Sequence, residues 1–221
     1  MNSIFETKDG SHSIESEKFG VPYHSRHGAI TESMHVFIAN GFQEAIADKT
    51  ELRILEIGFG SGLNTLLTAL EAEKLPVRVS YIALEAFPCS DQLLSELNYP
   101  DQIENPIAAE YFSRIHQFSW DEPAPLSDHF LLKKKHIDFL AFEPKDKFDL
   151  IYLDAFAPTA QPELWTKETL GTYFEWMNPG GILTTYCAKG QVRRDFQSHG
   201  GQVERLPGPP GKREMLRIKR P

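Results

Sequence analysis

The residues best placed to do chemistry are three carboxylates, Glu56, Glu85 and Asp154, and the glycines that lie among them. Residues 52–64 read Leu-Arg-Ile-Leu-Glu-Ile-Gly-Phe-Gly-Ser-Gly-Leu-Asn. A short apolar run ends at Glu56, breaks into Gly58, Gly60 and Gly62, and passes into the helical spacing Leu63, Leu66, Leu67, Leu70. That pattern predicts a buried strand, a tight turn and the start of a helix, the entry to a nucleotide-binding βαβ unit. Glycines at such a turn let the backbone come close to a ligand where a Cβ would intrude. Glu85 closes the next apolar run, Val79 to Leu84, where a carboxylate can accept hydrogen bonds from both hydroxyls of a ribose. Asp154 ends a third run, Phe148 to Leu153, and is followed by Ala155, Phe156, Ala157 and Pro158. In open parallel sheets ligands sit beyond the carboxyl ends of the strands, so these acids are expected around one crevice.

The spacing discriminates between cofactors. The dinucleotide fingerprint requires glycine where this chain has Leu63, which disfavours an oxidoreductase. Glu-x-Gly-x-Gly-x-Gly resembles the turn of S-adenosylmethionine-dependent methyltransferases of the Rossmann-like class. The elements needed to position it are legible in order: a loose lead-in over residues 1–20 with room for a short hairpin, then a helix carrying Met34, Phe37, Ile38, Phe42 and Ile46. A helix is expected over 62–72, a strand over 78–84, helices over 89–97 and 105–118, and a proline-rich loop over 121–125. A strand follows over 130–139, then the strand ending at Asp154, a helix over 162–176, a strand over 182–186, a helix over 190–199 and a terminal hairpin. The fold class is α/β: a mainly parallel sheet with helices on both faces, closed by an antiparallel C-terminal hairpin. Residues 1–50 read as an N-terminal extension and helix packed on a methyltransferase core of residues 51–221, within a single domain.

The chain has 221 residues, 41 % of them hydrophobic, enough for a sizeable single core. No apolar run reaches the ~20 residues of a membrane span, and the polar N-terminus lacks the layout of a secretory signal. Cys89 and Cys187 stand far apart without metal spacing, consistent with free thiols, no metal site and a cytoplasmic setting. The net charge of −8 is uneven: from Lys189 to Pro221 nine basic residues face three acids, a net +6, leaving about −14 for the remainder. One basic face on an acidic protein suits a polyanionic partner.

Taken together, the motifs are similar to bacterial tRNA 5-(aminomethyl)-2-thiouridine methyltransferases, the MnmD type, which also form the methyltransferase half of bifunctional MnmC. The segments that carry the resemblance are 56–64, Glu85-Ala-Phe-Pro88, Asp154-Ala-Phe-Ala-Pro158, Pro162-Glu-Leu-Trp-Thr166, Val192-Arg-Arg194 and Gly211-Lys-Arg-Glu-Met-Leu216. The chain departs from the family pattern at Ile137 and Ala155, where glycine is common, and has no stretch corresponding to the oxidase half. The resemblance implies a stand-alone enzyme using S-adenosyl-L-methionine, with tRNA as partner and no obligate protein partner. It implies cofactor contacts from Glu56, Gly58, Phe59, Gly60, Gly62, Asn64, Glu85, Ala86, Phe87, Asp138 and Asp154. Asp154 is the implied catalytic residue, and Tyr23, Phe156, Pro158, Arg193, Arg194, Lys212 and Arg213 are the implied tRNA contacts. Two other readings stay open on the residues alone: methylation of a small-molecule amine, and a non-catalytic nucleotide- or RNA-binding module.

Overall fold

The computed structural model describes residues 2–47 and 49–221. Its centre is a sheet of strands β3 (Glu51–Ile57), β4 (Arg78–Glu85), β6 (Phe130–His136), β7 (Phe148–Leu153) and β8 (Met177–Thr185), all parallel where they pair. Strands β5 (Pro123–Pro125), β9 (Gln202–Pro207) and β10 (Glu214–Lys219) add antiparallel edges, giving the order β5-β6-β4-β3-β7-β8-β10-β9. β3 and β7 are buried over their last residues on both faces, as their nearly unbroken apolar runs require. The chain winds outward from β3 through β4 to β6, then returns to the other side of β3 to form β7. The sheet therefore changes direction between β3 and β7, which opens a crevice beyond Ile57 and Leu153.

Helix α3 (Leu63–Ala72) leaves the glycine turn with Gly62 as its left-handed cap at φ 76°. Helices α4 (Asp91–Ser95), α5 (Tyr99–Gln102) and α6 (Ala108–Gln117) pack on the same side, with α7 (Lys167–Glu175) and α8 (Gly190–Ser198) on the other. Two buried clusters result, one containing Leu66, Tyr81 and Tyr152, the other Ile151, Phe174 and Phe196.

Several elements differ from the sequence expectation. The lead-in is an ordered hairpin, β1 (Ser3–Glu6) with β2 (His12–Glu15), whose Ile14 is wholly buried in the core. Asp9 ties it down by accepting bonds from Thr7, Ser11 and Thr31, a cross-link no local periodicity announces. The helix after residue 29 begins as α1 (Ala29–Ser33), continues as a π-type segment Met34–Phe42 and ends as Gln43–Ala45. At Gly41 an added Cβ would meet Tyr152 and Thr184 at 3.1 Å, so this helix lies close against β7 and β8. The proline loop contributes strand β5, because Pro123 and Pro125 occupy an edge where a missing N–H costs nothing. β6 stops at His136 instead of running to 139, and the helix expected over 162–176 is split by Thr166, whose hydroxyl caps α7.

Candidate active site

The glycine turn brings three strand ends together. Gly58 and Phe59 both donate backbone N–H bonds to the Leu84 carbonyl, and Asp154 N–H donates to the Ile57 carbonyl at 3.0 Å. At Gly58 (φ 97°) a Cβ would lie 2.7 Å from the Asp154 carbonyl oxygen, so only glycine lets β3 and β7 end side by side. Glu85 then locks the turn: one carboxylate oxygen accepts from Gly60 N–H and the other from Phe87 N–H, each at 2.8 Å. Burial raises the Glu85 carboxyl above its ordinary range, and the N–H donors of Phe87, Gly60 and Ala86 oppose that rise.

Above the turn lies a cleft of about 80 Å³. Gly58, Phe59, Gly60, Asn64, Glu85 and Phe87 line one wall; Asp154, Ala155, Phe156 and Gln161 line the other. The N-terminal segment closes it. Phe19 stacks on Phe156 at 4.6 Å between centroids and meets Phe87 edge-on at 5.8 Å; Tyr23 meets Phe156 edge-on at 5.1 Å. The Lys18 ammonium sits 3.0 Å from the centroid of Phe87.

Asp154 accepts from Asn64 Nδ2 at 2.8 Å, and the Asn64 amide also hydrogen-bonds the buried Glu56 carboxyl. Burial pushes the Asp154 carboxyl well above the usual range, and Glu32 and, once ionised, Glu56 push the same way. The Asn64 bond and the Lys212 charge act against them. Behind Asp154, Glu32 and Lys212 form an ion pair at 2.5 Å, and Lys212 Nζ stands 3.8 Å from the Tyr186 ring centroid. The Tyr186 hydroxyl in turn donates to the Ala155 carbonyl at 2.8 Å.

The structure thus gathers Tyr23, Gly58, Phe59, Gly60, Asn64, Glu85, Phe87, Asp154 and Phe156 at one cleft. Ala86 and Gly62 belong to the same loops without lining it. Glu56 stands apart. It is fully buried beneath the turn, accepts from Thr65 and Tyr81, and burial lifts its carboxyl to about 8. Asp138 is exposed and caps the short turn Phe139–Ala141 through Leu140 N–H; its neighbour Phe139 reaches the cleft instead. Pro158 also lies outside the lining.

The basic C-terminal region needs a larger correction. Arg217 pairs with Glu204 and Glu44, Lys219 with Glu204, Arg205 with Glu214 and Arg220 with Glu175. Lys212 is committed to Glu32, so it is not a free phosphate contact. Among the described residues no ion pair engages Arg193, Arg194 or Arg213; Arg194 and Arg213 are exposed. Sequence reasoning missed Phe19, Glu32 and Tyr186. Tyr186 could have been found, since it follows a parallel strand as Glu85 and Asp154 do; Phe19 and Glu32 carry no local signal.

The chemistry of the cleft's lining suits S-adenosylmethionine. It offers carboxylates at Glu85 and Asp154 for hydroxyl and ammonium donors. Phe87 and Phe139 supply flat apolar surface for a base, and Gly58 and Gly60 leave room at the backbone. Comparison with known proteins points the same way. A sequence-family model described as S-adenosyl-L-methionine-dependent methyltransferase matches residues 112–221. The bifunctional protein MnmC of tRNA 5-methylaminomethyl-2-thiouridine biosynthesis from Delftia acidovorans is 32 % identical over 219 residues, 91 % of this chain and 32 % of its own length. Its counterpart from Leptospira interrogans is 31 % identical over 211 residues, 91 % of this chain and 33 % of its own. The chain spans about a third of the length of these curated relatives. Among solved structures, MnmC2 from Aquifex aeolicus superposes with a TM-score of 0.82 at 26 % identity, covering 99 % of this chain and 70 % of that one. The N-methyltransferase NodS from Bradyrhizobium japonicum, at 16 % identity and a TM-score of 0.50, covering 81 % of this chain and 92 % of its own, shares the fold. Fold, crevice and relatives together identify the chain as a Rossmann-like S-adenosylmethionine-dependent methyltransferase, similar over most of its length to part of MnmC.

Proposed function

We propose that the chain methylates the primary amine of 5-aminomethyl-(2-thio)uridine at the wobble position of tRNA, giving the 5-methylaminomethyl nucleoside, in the cytoplasm. The observation that carries this reading is Asp154, which lies in the cleft at the β3/β7 crossover with a single side-chain donor and an open side. The names of the MnmC relatives supply the acceptor class. When bound, S-adenosylmethionine supplies an activated methyl carbon whose sulfonium leaves as a neutral thioether.

The protein's part is to bind, align and manage one proton. Glu85 keeps lone pairs free beside its backbone bonds for ribose hydroxyls. Phe87 gives the adenine a face. Asp154 accepts an N–H bond from the acceptor amine, turns its lone pair toward the methyl group and stabilises the positive charge that gathers on nitrogen. Alignment matters because a free amine of pKa near ~10.4 would cost about 4.6 kcal/mol to deprotonate at pH 7. Phe156 and Tyr23 stand where the uracil ring would enter, and Arg193, Arg194 and Arg213 are the cations left for phosphates. No helix among the described residues is long and apolar enough to cross a membrane.

The test uses labelled S-adenosylmethionine and tRNA from cells that cannot complete this modification, followed by nucleoside mass analysis. Label on 5-aminomethyl-(2-thio)uridine and nowhere else is expected. Unlabelled tRNA in the presence of cofactor binding would overturn the acceptor and redirect the search to small amines.

A further inference from the structure

The pair Glu32–Lys212 joins residues 180 positions apart and backs the acceptor wall through Tyr186, whose ring meets Lys212 and whose hydroxyl donates to the Ala155 carbonyl. The Glu32 side chain is only 6 % exposed; Ser25 N–H donates to its second oxygen at 2.7 Å. Lys212 Nζ stands 3.8 Å from the Tyr186 ring centroid, with its side chain 30 % exposed. Taking the Glu32 carboxylate out of water is costly, and such a pair adds little stability over apolar residues of the same size. Its placement therefore asks for another explanation. Both charges act on Asp154, and both act on His24, which lines the same cleft and is held near 4 chiefly by burial.

We propose that Glu32 and Lys212 are positioning residues for the acceptor nitrogen: as opposed charges beside Asp154 they set how readily that nitrogen sheds its proton, Lys212 favouring the neutral amine and Glu32 the ammonium. The inference rests on the reading that the acceptor is a protonatable amine. An amine methylated as an ammonium has no lone pair to give, so a fixed cation at the pocket wall raises the reactive fraction. A bare cation would also repel the ammonium that first arrives, and Glu32 limits that repulsion. Asp154 is faced by Glu32 from α1, Glu56 from β3, Lys212 from the β9–β10 loop, and the hydroxyls of Tyr99 and Tyr186. Of these, Glu32 and Lys212 are the two whose charges oppose each other, so removing either leaves the other uncompensated.

The experiment is the pH dependence of single-turnover methyl transfer to the hypomodified tRNA, which reports ionisation within the bound complex. Lys212→Met removes the cation and exposes Glu32, so the midpoint of the rising limb moves to higher pH by about one unit. Glu32→Gln exposes Lys212 and moves it lower by a similar amount. The double variant Glu32→Gln/Lys212→Met returns it close to the wild type, and Lys212→Arg retains the wild-type midpoint. Both effects on Asp154 itself have the same signs, so they add to the displacement. Shifts of the two single variants in one direction, or no shift in either, would overturn the inference. If Lys212→Met does not fold, a displaced midpoint in Lys212→Arg or the double variant would overturn it equally. Wild-type protein that binds S-adenosylmethionine but never methylates the tRNA would instead sink the underlying function.

Discussion

The wall of the cleft built by β3 and β4 takes its polar contacts mainly from the backbone, whereas the wall built around β7 and β8 takes them from side chains distant in sequence. On the first, Leu84 O holds Gly58 and Phe59, and Glu85 holds Gly60 and Phe87, all within two short loops. On the second, Asp154 meets Asn64, Glu32 meets Lys212, and Phe156 meets Phe19 and Tyr23. The cofactor wall is thus defined by a local conformation that a few glycines permit. The acceptor wall comes together only when the N-terminal segment meets the centre of the chain. A shared donor needs a constant cradle, while acceptors differ, and the half that must differ is the one made of replaceable side chains.

Substitutions can separate the two walls or join them. The largest effect on transfer is expected from Asp154→Ala, which removes the acceptor's hydrogen-bond partner and leaves the backbone cradle intact. Turnover should fall by ~10²–10³-fold while S-adenosylmethionine affinity, measured by calorimetry, stays within a few fold. A parallel loss of affinity would mean the walls are not independent. Gly58→Ala should act on both. Its Cβ would collide with the Asp154 carbonyl at a φ of 97°, prying β3 from β7. A drop in stability of at least ~2 kcal/mol and a tenfold or greater loss of cofactor affinity are expected together. Unchanged binding would show that the two strand ends need not touch.

Glu56→Gln should leave transfer nearly untouched and appear in stability alone. Burial holds the Glu56 carboxyl protonated to about pH 8, whereas in the unfolded chain it ionises near 4.5. Folding therefore loses stability as pH rises through that window, by about 3–5 kcal/mol across it. The amide variant should lack this component, so its melting temperature falls less between pH 5 and pH 8. Parallel melting curves would rule out a protonated Glu56.

The same contrast explains what could be read from the chain. Gly58, Gly60, Gly62 and Glu85 announce themselves because period, turn and acid fall within one βαβ unit. Asp154 is legible by the rule that ligands gather at the carboxyl ends of parallel strands. Phe19 and Glu32 are invisible to that rule, since their positions depend on a hairpin anchored by Asp9 and on a helix with π-type turns. The basic tail misled for a related reason: net charge cannot tell a solvent-facing arginine from Arg217, which lies within the sheet between two glutamates. Asp138 misled because β6 ends two residues short of it, leaving the carboxylate to cap a turn.

The sheet order has a consequence for how the protein is made. β10 is synthesised after β9 yet lies between β8 and β9, so the β8 edge stays unpaired until residues beyond 213 have left the ribosome. Lys212 arrives with the same last stretch of chain. A nascent polypeptide can therefore assemble the residues of the cleft while a hydrogen-bonding edge of the sheet lies bare. Co-translational protection of that edge, by speed of closure or by a chaperone, becomes a condition for obtaining active protein.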